Sequence, residues 1–414
     1  MVSASRLQGE ANMEERPVSE RLLWGNILFL VGAPLFVLVA TPIYIAQNGI
    51  SWAQAITFFV LWWATGLSIT AGYHRLFSHR AYKASGPVRL FYAIFGAAAC
   101  ENSVITWCAA HRFHHRDVDT EGDPYNAKRG FAWSHMGWIL VEGPRHDEFE
   151  NVPDLWADPV CRWQHKYNGL ITATVNIGIP LLVGAFAGDP WGMVLIAGIT
   201  RIVMVQHSTF CVNSVAHMFG TQPWSDANTS RDSWLLSFFT FGEGYHNYHH
   251  AFQRDYRNGP RWYNYDPTKW LIWFMARCGL THALTRTPRD VILRRRYEEE
   301  RARLSDWRER VGARCEALAD RLRDEHEAVL TSLGEQVEEA QRRLDAALEE
   351  LTTTRKDWAR AARARRKEIS AASRAEIREL RRSVRRRGRA AQRLLAEWQE
   401  STAALAAAFE PLPA

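Results

Sequence analysis

The segment LLWGNILFLVGAPLFVLVATPIYIA, Leu22 to Ala46, runs for 25 residues without a charged side chain. At about 1.5 Å per residue, a helix of that length covers the roughly 30 Å hydrocarbon core of a bilayer. A helix that is apolar on every face needs an apolar surrounding on every face, so this stretch decides the fold class as membrane protein. Trp52 to Tyr73 is a second run of the same kind, set off by the polar turn QNGIS. Gly169 to Gly188 and Gly192 to Val212 form a second pair around the turn DPW. The expected spans are therefore 22–46, 52–73, 169–188 and 192–212. Val88 to Cys108 is also apolar, but it contains Glu101, Asn102 and Ser103, which predicts a segment that dips into the interface.

The two short turns, 47–51 and 189–191, carry no Lys or Arg, whereas the long segments 80–168 and 213 onward carry many. The positive-inside rule then predicts that the long segments and both termini are cytoplasmic. Arg201 falls in the middle of the fourth span. A charge there is costly and is expected to face the bundle interior or a wet pocket. Residues 1–21 are polar and the first apolar run is too long for an h-region, so no cleavable signal peptide is expected. The six cysteines form no C-x-x-C pair and are read as reduced thiols rather than disulfides.

From Arg294 the composition changes to Arg, Glu, Ala and Leu. Three parts are expected: a polar N-terminal segment 1–21, a membrane domain 22–290, and a charged helical extension 294–410. In the extension Leu330, Leu333, Val337, Ala340, Leu344, Ala347 and Leu351 are spaced 3-4-3-4, the seam of a coiled coil. The stretch RRSVRRRGR, 381–389, is densely basic. A coiled-coil oligomeriser, an arm on anionic lipid and a solvated helix are the competing readings, and self-association is the one taken. The seam's partner is either a second chain or the tail folded back near Thr352 to Thr354, where LTTT weakens helix propensity. Nucleic acid is not an expected partner, because aromatic residues do not interleave with the basic run.

Fifteen histidines are present, and nine of them fall in four clusters. HRLFSH gives His74 and His79. HRFHH gives His111, His114 and His115. NSVAH gives Asn213 and His217. GEGYHNYHH gives His246, His249 and His250. Helical positions i, i+3 and i+4 share a face, so each H-x-x-H-H aims three imidazoles at one point and N-x-x-x-H aims its two side chains together. H-x-x-x-x-H matches a helix less well and fits better if the helix ends or bends between His74 and His79. All four clusters fall on the side predicted to be cytoplasmic. Nine imidazoles exceed the needs of one metal ion, and two ions with four or five nitrogen ligands each would use them all. Imidazole-rich sites with few carboxylates suit iron, copper or zinc. His135, His146, His165, His207, His282 and His326 match no cluster and are read as structural or surface residues, with His207 hydrogen-bonded to a neighbour.

The segments GLSITAGYHRLFSHRAYKA, HRFHHRDVDTEGDPYN, RGFAWSHMGW, NSVAHMFGTQPW and GEGYHNYHH resemble, in order, those of the membrane fatty acyl desaturases of the stearoyl-CoA Δ9 type. The resemblance runs from about Trp62 to Leu280. It implies an all-α integral membrane fold of four transmembrane helices, with a cytoplasmic helical cap holding a di-iron site. Carried over, two iron ions (Fe2+) are held by His74, His79, His111, His114, His115, His217, His246, His249 and His250, with Asn213 acting through a water. It also implies a kinked acyl tunnel, with Trp62 and Gly66 near its closed end and Asn102, Thr209 and Phe210 near its bend or carrier end. The implied activity is insertion of a cis double bond, at Δ9, into a saturated long-chain acyl group, with O2 and two external electrons.

No flavin or haem motif is present, so the electrons must come from a partner. Arg75, Arg80, Lys83, Arg112, Arg116, Arg254 and Arg257 would form a basic face for an acidic donor such as a ferredoxin or cytochrome b-type protein, or would meet anionic membrane lipid. Acyl-CoA-using members carry an Arg-Asp pair just before the second box, where this chain has Ala109 and Ala110. A further CoA-contacting Arg after SHxGW is Glu142 here. The carrier therefore stays open between CoA, lipid and carrier protein, with acyl-CoA as the reading taken. An acyl-lipid desaturase, a fatty acyl hydroxylase on the same scaffold and a non-enzymatic metal carrier or transporter are the rivals.

Overall fold

The computed structural model describes residues 22–142, 149–318, 326–364 and 371–407. His146 lies outside them, as do the whole polar N-terminal segment 1–21 and the last residues of the extension. The chain divides into two compact units: a first formed by residues up to Gln222 and by Asp226–Arg286, and a second formed by Pro223–Ser225 and Thr287–Ala414.

Four helices of the first unit are long and apolar enough to cross a membrane: α1 Trp24–Asn48, α2 Trp52–Ser78, and, further along, Pro159–Ala187 and Pro190–Met218. Between the two pairs lie α3, Gly86–Ala97, and α4, Val104–Asp117. The two long helices that follow are α5 and α6. Both begin earlier than the apolar runs suggest, and α6 also ends later. Asp158 caps α5 through the Val160 and Cys161 amides, and Asp189 caps α6 through the Gly192 amide, so polar caps rather than the first apolar residue set the starts. In α5 a kink at Tyr167 stands just before the expected start at Gly169. Ser51 and Gln54 form a capping box at the head of α2. Gln54 Nε2 also reaches Tyr44 Oη at 2.6 Å and Asp189 Oδ2 at 2.9 Å, which locks the two short turns together.

The second half of α2 departs from the α-helix. From Ser68 to Ser78 the backbone is a π-helix, and the His79 amide donates to the His74 carbonyl at 3.0 Å. The helix ends at Ser78, between His74 and His79 as the spacing suggests, and it does so through a π-turn. A π-helix pairs i with i+5, so the wider turn itself stacks two residues five apart on one face. The α3–α4 segment is not among the helices long and apolar enough to cross a membrane. It is two short helices joined by a turn in which Cys100 and Asn102 take positive φ, 57° and 77°.

Beyond α6 the first unit adds three short helices, α7 Trp234–Phe239, α8 His246–Ala251 and α9 Pro267–Arg277. Strand β1, Lys83–Ala84, pairs antiparallel with β2, Thr281–His282. Trp270, Trp273 and Phe274 stand exposed on α9 while Ile272 and Met275 are buried. An apolar stripe turned outward, on a unit with four candidate spans, is the pattern of an interfacial helix.

The second unit is three long helices, α10 Arg289–Leu318, α11 His326–Ala364 and α12 Ala371–Ala407. Its core holds Leu293, Tyr297, Leu304, Val337, Leu344, Leu348, Leu351, Ala391, Leu395 and Trp398, with Ala340 and Ala347 packed against it. The ion pairs Arg343–Glu397 at 3.3 Å and Arg387–Glu350 at 2.5 Å set α11 and α12 antiparallel. The tail does fold back, one of the two partners considered for the seam, but not near Thr352 to Thr354: α11 continues through them. Each threonine hydroxyl there donates to the carbonyl four residues back, at 2.8–3.0 Å, which satisfies it within the helix. The side chains of Leu330, Leu333 and His326 lie outside the described ones.

Candidate metal centre

Nine histidines converge in two groups. His74, His79, His111, His115 and His249 form the first, and His114, His217, His246 and His250 form the second. Within each group the candidate ligand atoms all lie within 4.8 Å of one another. The geometry follows from the local backbone. The π-turn of α2 brings His74 and His79 together. The i, i+3, i+4 face of α4 carries His111, His114 and His115, and α8 repeats that face with His246, His249 and His250. His217 arrives from the last turn of α6, beyond a local break at Ser214.

The nitrogens that face one another are Nε2. His74 and His249 stand 3.0 Å apart, His249 and His115 3.0 Å, and His79 and His111 2.9 Å. In the second group His246 lies 3.1 Å from His217 and 3.0 Å from His250, and His114 lies 3.4 Å from His250. Imidazole binds a first-row divalent ion such as zinc at about 2.0–2.1 Å, so two such ligands at right angles would stand about 3 Å apart. The spacing fits ligation, and the donor set of neutral nitrogens fits a transition metal. Burial, with neighbouring imidazoles adding to it, holds His79, His111, His115, His246, His249 and His250 well below the usual histidine range. They are therefore neutral, the form that coordinates.

Carboxylates and hydroxyls stand behind several rings. Glu243 Oε2 lies 2.9 Å from His74 Nδ1. Although burial opposes ionisation, the Arg75 guanidinium beside it holds the Glu243 carboxyl below the usual range. Arg75 donates to Glu243 at 2.8 Å and to Asp266 at 3.0 Å. Asp123 Oδ1 lies 2.9 Å from His114 Nδ1. Thr229 Oγ1 is 2.8 Å from His217 Nδ1 and donates in turn to Asp119 at 2.8 Å. Such partners fix ring orientation and leave Nε2 for the metal. The sequence reading missed Glu243, Asp123, Asp119 and Thr229. Glu243, Asp119 and Asp123 sit inside the quoted segments, and their signal is a carboxylate within a few positions of a histidine box.

A cavity of about 310 Å³ opens beside the first group. His74 and His111 line it, as do Gly66, Asn102, Thr209, Phe210 and Asn213. Trp62 does not. Phe241 lines that end, its ring filling the space at Gly66, where a Cβ would come within 2.2 Å of it. Trp62 stands behind, with ring centroids 5.1 Å apart. Trp107 stacks on His111 at 4.9 Å and donates from Nε1 to Glu101 Oε2 at 3.1 Å.

Burial pushes the Glu101 carboxyl from 4.5 up to about 8, against the hydrogen bonds from Thr209 and Trp107. A folded value above the unfolded one means that the folded chain keeps a proton the unfolded chain has lost. The associated stability is full below about pH 4.5 and is lost as the pH rises through about 8. The melting temperature is expected to fall from about pH 5 to about pH 8.5, and Glu101→Gln is expected to flatten the slope. Equal slopes in the two proteins would place the carboxyl in contact with bulk water.

The unclustered histidines find ordinary partners. His135 Nε2 meets His207 Nδ1 at 3.0 Å, His135 Nδ1 meets Ser214 at 2.9 Å, and His165 meets Ser103 at 2.7 Å. His282 sits exposed in β2. The basic face expected around the boxes is corrected in part. Arg75 is fully buried against Glu243 and Asp266, Arg112 is engaged by Asp154 at 2.8 Å, and Arg257 by Asp255 at 2.7 Å.

A family model described as fatty acid desaturase matches residues 50–282. Acyl-CoA desaturase 1 of Saccharomyces cerevisiae is 41% identical over 291 residues, 69% of this chain and 56% of the relative. Stearoyl-CoA desaturase 5 of Bos taurus is 37% identical over 298 residues, 69% of this chain and 84% of the relative. An sn-1 stearoyl-lipid 9-desaturase of Anabaena variabilis is 36% identical over 260 residues, 62% of this chain and 92% of the relative. The chain spans 56% of the length of the Saccharomyces cerevisiae relative and 63% of that of a probable acyl-CoA desaturase of Schizosaccharomyces pombe. With two histidine groups at the head of a cavity among candidate membrane spans, the chain belongs to the fatty acid desaturase family.

Proposed function

We propose that this protein is an integral-membrane desaturase that inserts a cis double bond, at Δ9, into a saturated long-chain acyl group carried by CoA. The observation that carries the reading is the pair of inward-facing Nε2 groups, five and four, set against a cavity that His74 and His111 line. The nine histidines would hold two iron ions, and Asn213, which lines the same cavity, would act on one of them through a water. Two ferrous ions with O2 would supply an oxidant able to break an unactivated methylene C–H bond, which no side chain can do. Overall, one O2, two electrons and two protons take two hydrogens from the chain and leave two waters.

The protein's own part is placement and exclusion. Gly66, Ile69, Val205 and Phe210 offer the acyl chain an apolar wall, Trp107 keeps the His111 ring in register, and burial of the end that His74 and His111 line limits water at the reacting carbons. The electrons come from an external donor of the ferredoxin or cytochrome b type. The histidine face and both termini are cytoplasmic, where such donors are found. Self-association through the extension would need a face other than the seam, which is filled within the chain.

One observation favours a second reading of the carrier. Ala109, Ala110 and Glu142 stand where cationic or polar contacts to CoA would be useful, and one relative is named a stearoyl-lipid desaturase. Membranes containing the protein, supplied with reductant and donor, are to be offered stearoyl-CoA and stearoyl-phosphatidylcholine separately. Unsaturated product from the CoA ester supports the proposal, product from the lipid alone moves the carrier, and hydroxylated product replaces the reaction.

The Phe241 plug gives a separate expectation. Phe241→Ala is expected to move chain-length preference upward, by about fourfold per added methylene at about 0.8 kcal/mol each. Trp62→Ala should act in the same direction but less, because Trp62 touches the cavity only through Phe241. Competition between acyl chains of different length measures both. An unchanged profile in Phe241→Ala would place the closed end elsewhere.

A further inference from the structure

The turn between α3 and α4 is non-helical backbone packed among the spans. Ala98 and Ala99 are fully buried, and Cys100 and Asn102 hold left-handed conformations. Such backbone is tolerated at membrane depth only where protein groups satisfy it or a cavity adjoins it. Both conditions are met. Thr172 Oγ1 donates to the Ala97 carbonyl at 3.0 Å, and Gln206 Nε2 to the Cys100 carbonyl at 3.4 Å. Arg201 Nη1 donates to the Ala98 carbonyl at 2.9 Å.

Arg201 is fully buried, and the partners found for it are uncharged. Besides Ala98 it donates to its own Ala197 carbonyl at 3.2 Å, to Thr65 Oγ1 at 3.3 Å and to Asn176 Oδ1. Asn176 Nδ2 in turn reaches Cys100 Sγ at 3.3 Å. One guanidinium therefore ties α2, α5 and α6 to the C-terminal end of α3, where a positive charge is favoured by the helix dipole. A charge at that depth is costly unless it does something a neutral residue cannot. A planar fork of donors can bridge these four acceptors in fixed directions, and an ammonium cannot.

The far side of this turn is cavity wall. Cys100, Glu101 and Asn102 line the cavity together with Gln206 and Thr209, which follow Arg201 on the same helix. We infer that Arg201 is a positioning residue that fixes the Cys100–Asn102 wall against α6, and so selects which methylene of the acyl chain stands beside the histidine groups. The inference rests on the desaturase reading and adds to it a residue that touches neither metal nor substrate. A displacement of about 1 Å costs about a hundredfold in a reaction that depends on position, and it is comparable to the advance of one methylene.

The test uses the full chain in membranes, with double-bond position read by mass spectrometry of the derivatised product. Wild type is expected to give one predominant isomer. Arg201→Lys and Arg201→Met are expected to raise the share of off-position isomers by about tenfold, as a loosened wall lets the chain slide. Less product with the wild-type isomer ratio would mean that Arg201 only stabilises the bundle, and would overturn the inference. If Arg201→Met does not accumulate, Asn176→Ala removes one anchor while keeping the charge, and the same isomer ratio decides. Absence of any unsaturated product from well-folded, metal-loaded wild type would instead refute the desaturase reading.

Discussion

His249→Ala is expected to lower double-bond formation by more than about a hundredfold while the chain still inserts and accumulates. His249 Nε2 stands 3.0 Å from both His74 and His115, so its ring joins a histidine of α2 to one of α4. Its own helix does not depend on it. The Tyr248 amide donates to Asp232 at 3.0 Å, Asn247 Nδ2 to the Ser230 carbonyl at 3.0 Å, and Tyr248 Oη to Asp255 at 2.9 Å. Removing the imidazole therefore takes a ligand and leaves α8 in place. Product analysis from cells expressing matched amounts of protein measures the effect. A variant retaining most of the wild-type product would show that His249 is not a ligand.

The second large effect is expected at Glu243. Glu243→Gln keeps the shape but removes the charge that faces both His74 and Arg75. Outer partners of metal-bound histidines are worth about 10–100-fold in metal affinity or activity. Breaking a buried ion pair costs about 3–5 kcal/mol, here moderated because Asp266 remains on Arg75. The sign with pH follows from the depressed carboxyl. Its stabilisation is present above the ordinary carboxylate value and is lost as the pH falls through the lower folded value. The wild type should thus lose stability in acid more steeply than Glu243→Gln. Equal acid sensitivity with full metal retention in the variant would remove Glu243 from the site.

Much of the site was legible because its signal is local. H-x-x-H-H needs only helical periodicity, and α4 and α8 supply it. The spans were legible for the same reason, since uncharged length is a local property. What escaped were features that depend on backbone variation or distance along the chain. The five-residue spacing of His74 and His79 reads poorly on an α-helix because nothing in HRLFSH announces a π-turn. Glu243 lies far in sequence from the His74 it faces. Arg201 was expected to face the interior, but its acceptors at Ala98 and Asn176 come from segments that only the fold brings together. Phe241 escaped because its position at Gly66 depends on a left-handed residue just beyond α7. In the extension the apolar seam was legible, whereas its partner helix was not, because one heptad pattern serves a second chain or a fold-back equally well.

If the two histidine groups hold one iron each, the loss of a ligand from one group should cost one ion. Iron per chain, counted on protein purified after iron supplementation and compared with His114→Ala, tests it most directly. His114 belongs only to the second group, where its Nδ1 faces Asp123. About two irons are expected in the wild type and about one in the variant, with the first group still filled. One iron or none in the loaded wild type, or two in the variant, would contradict it.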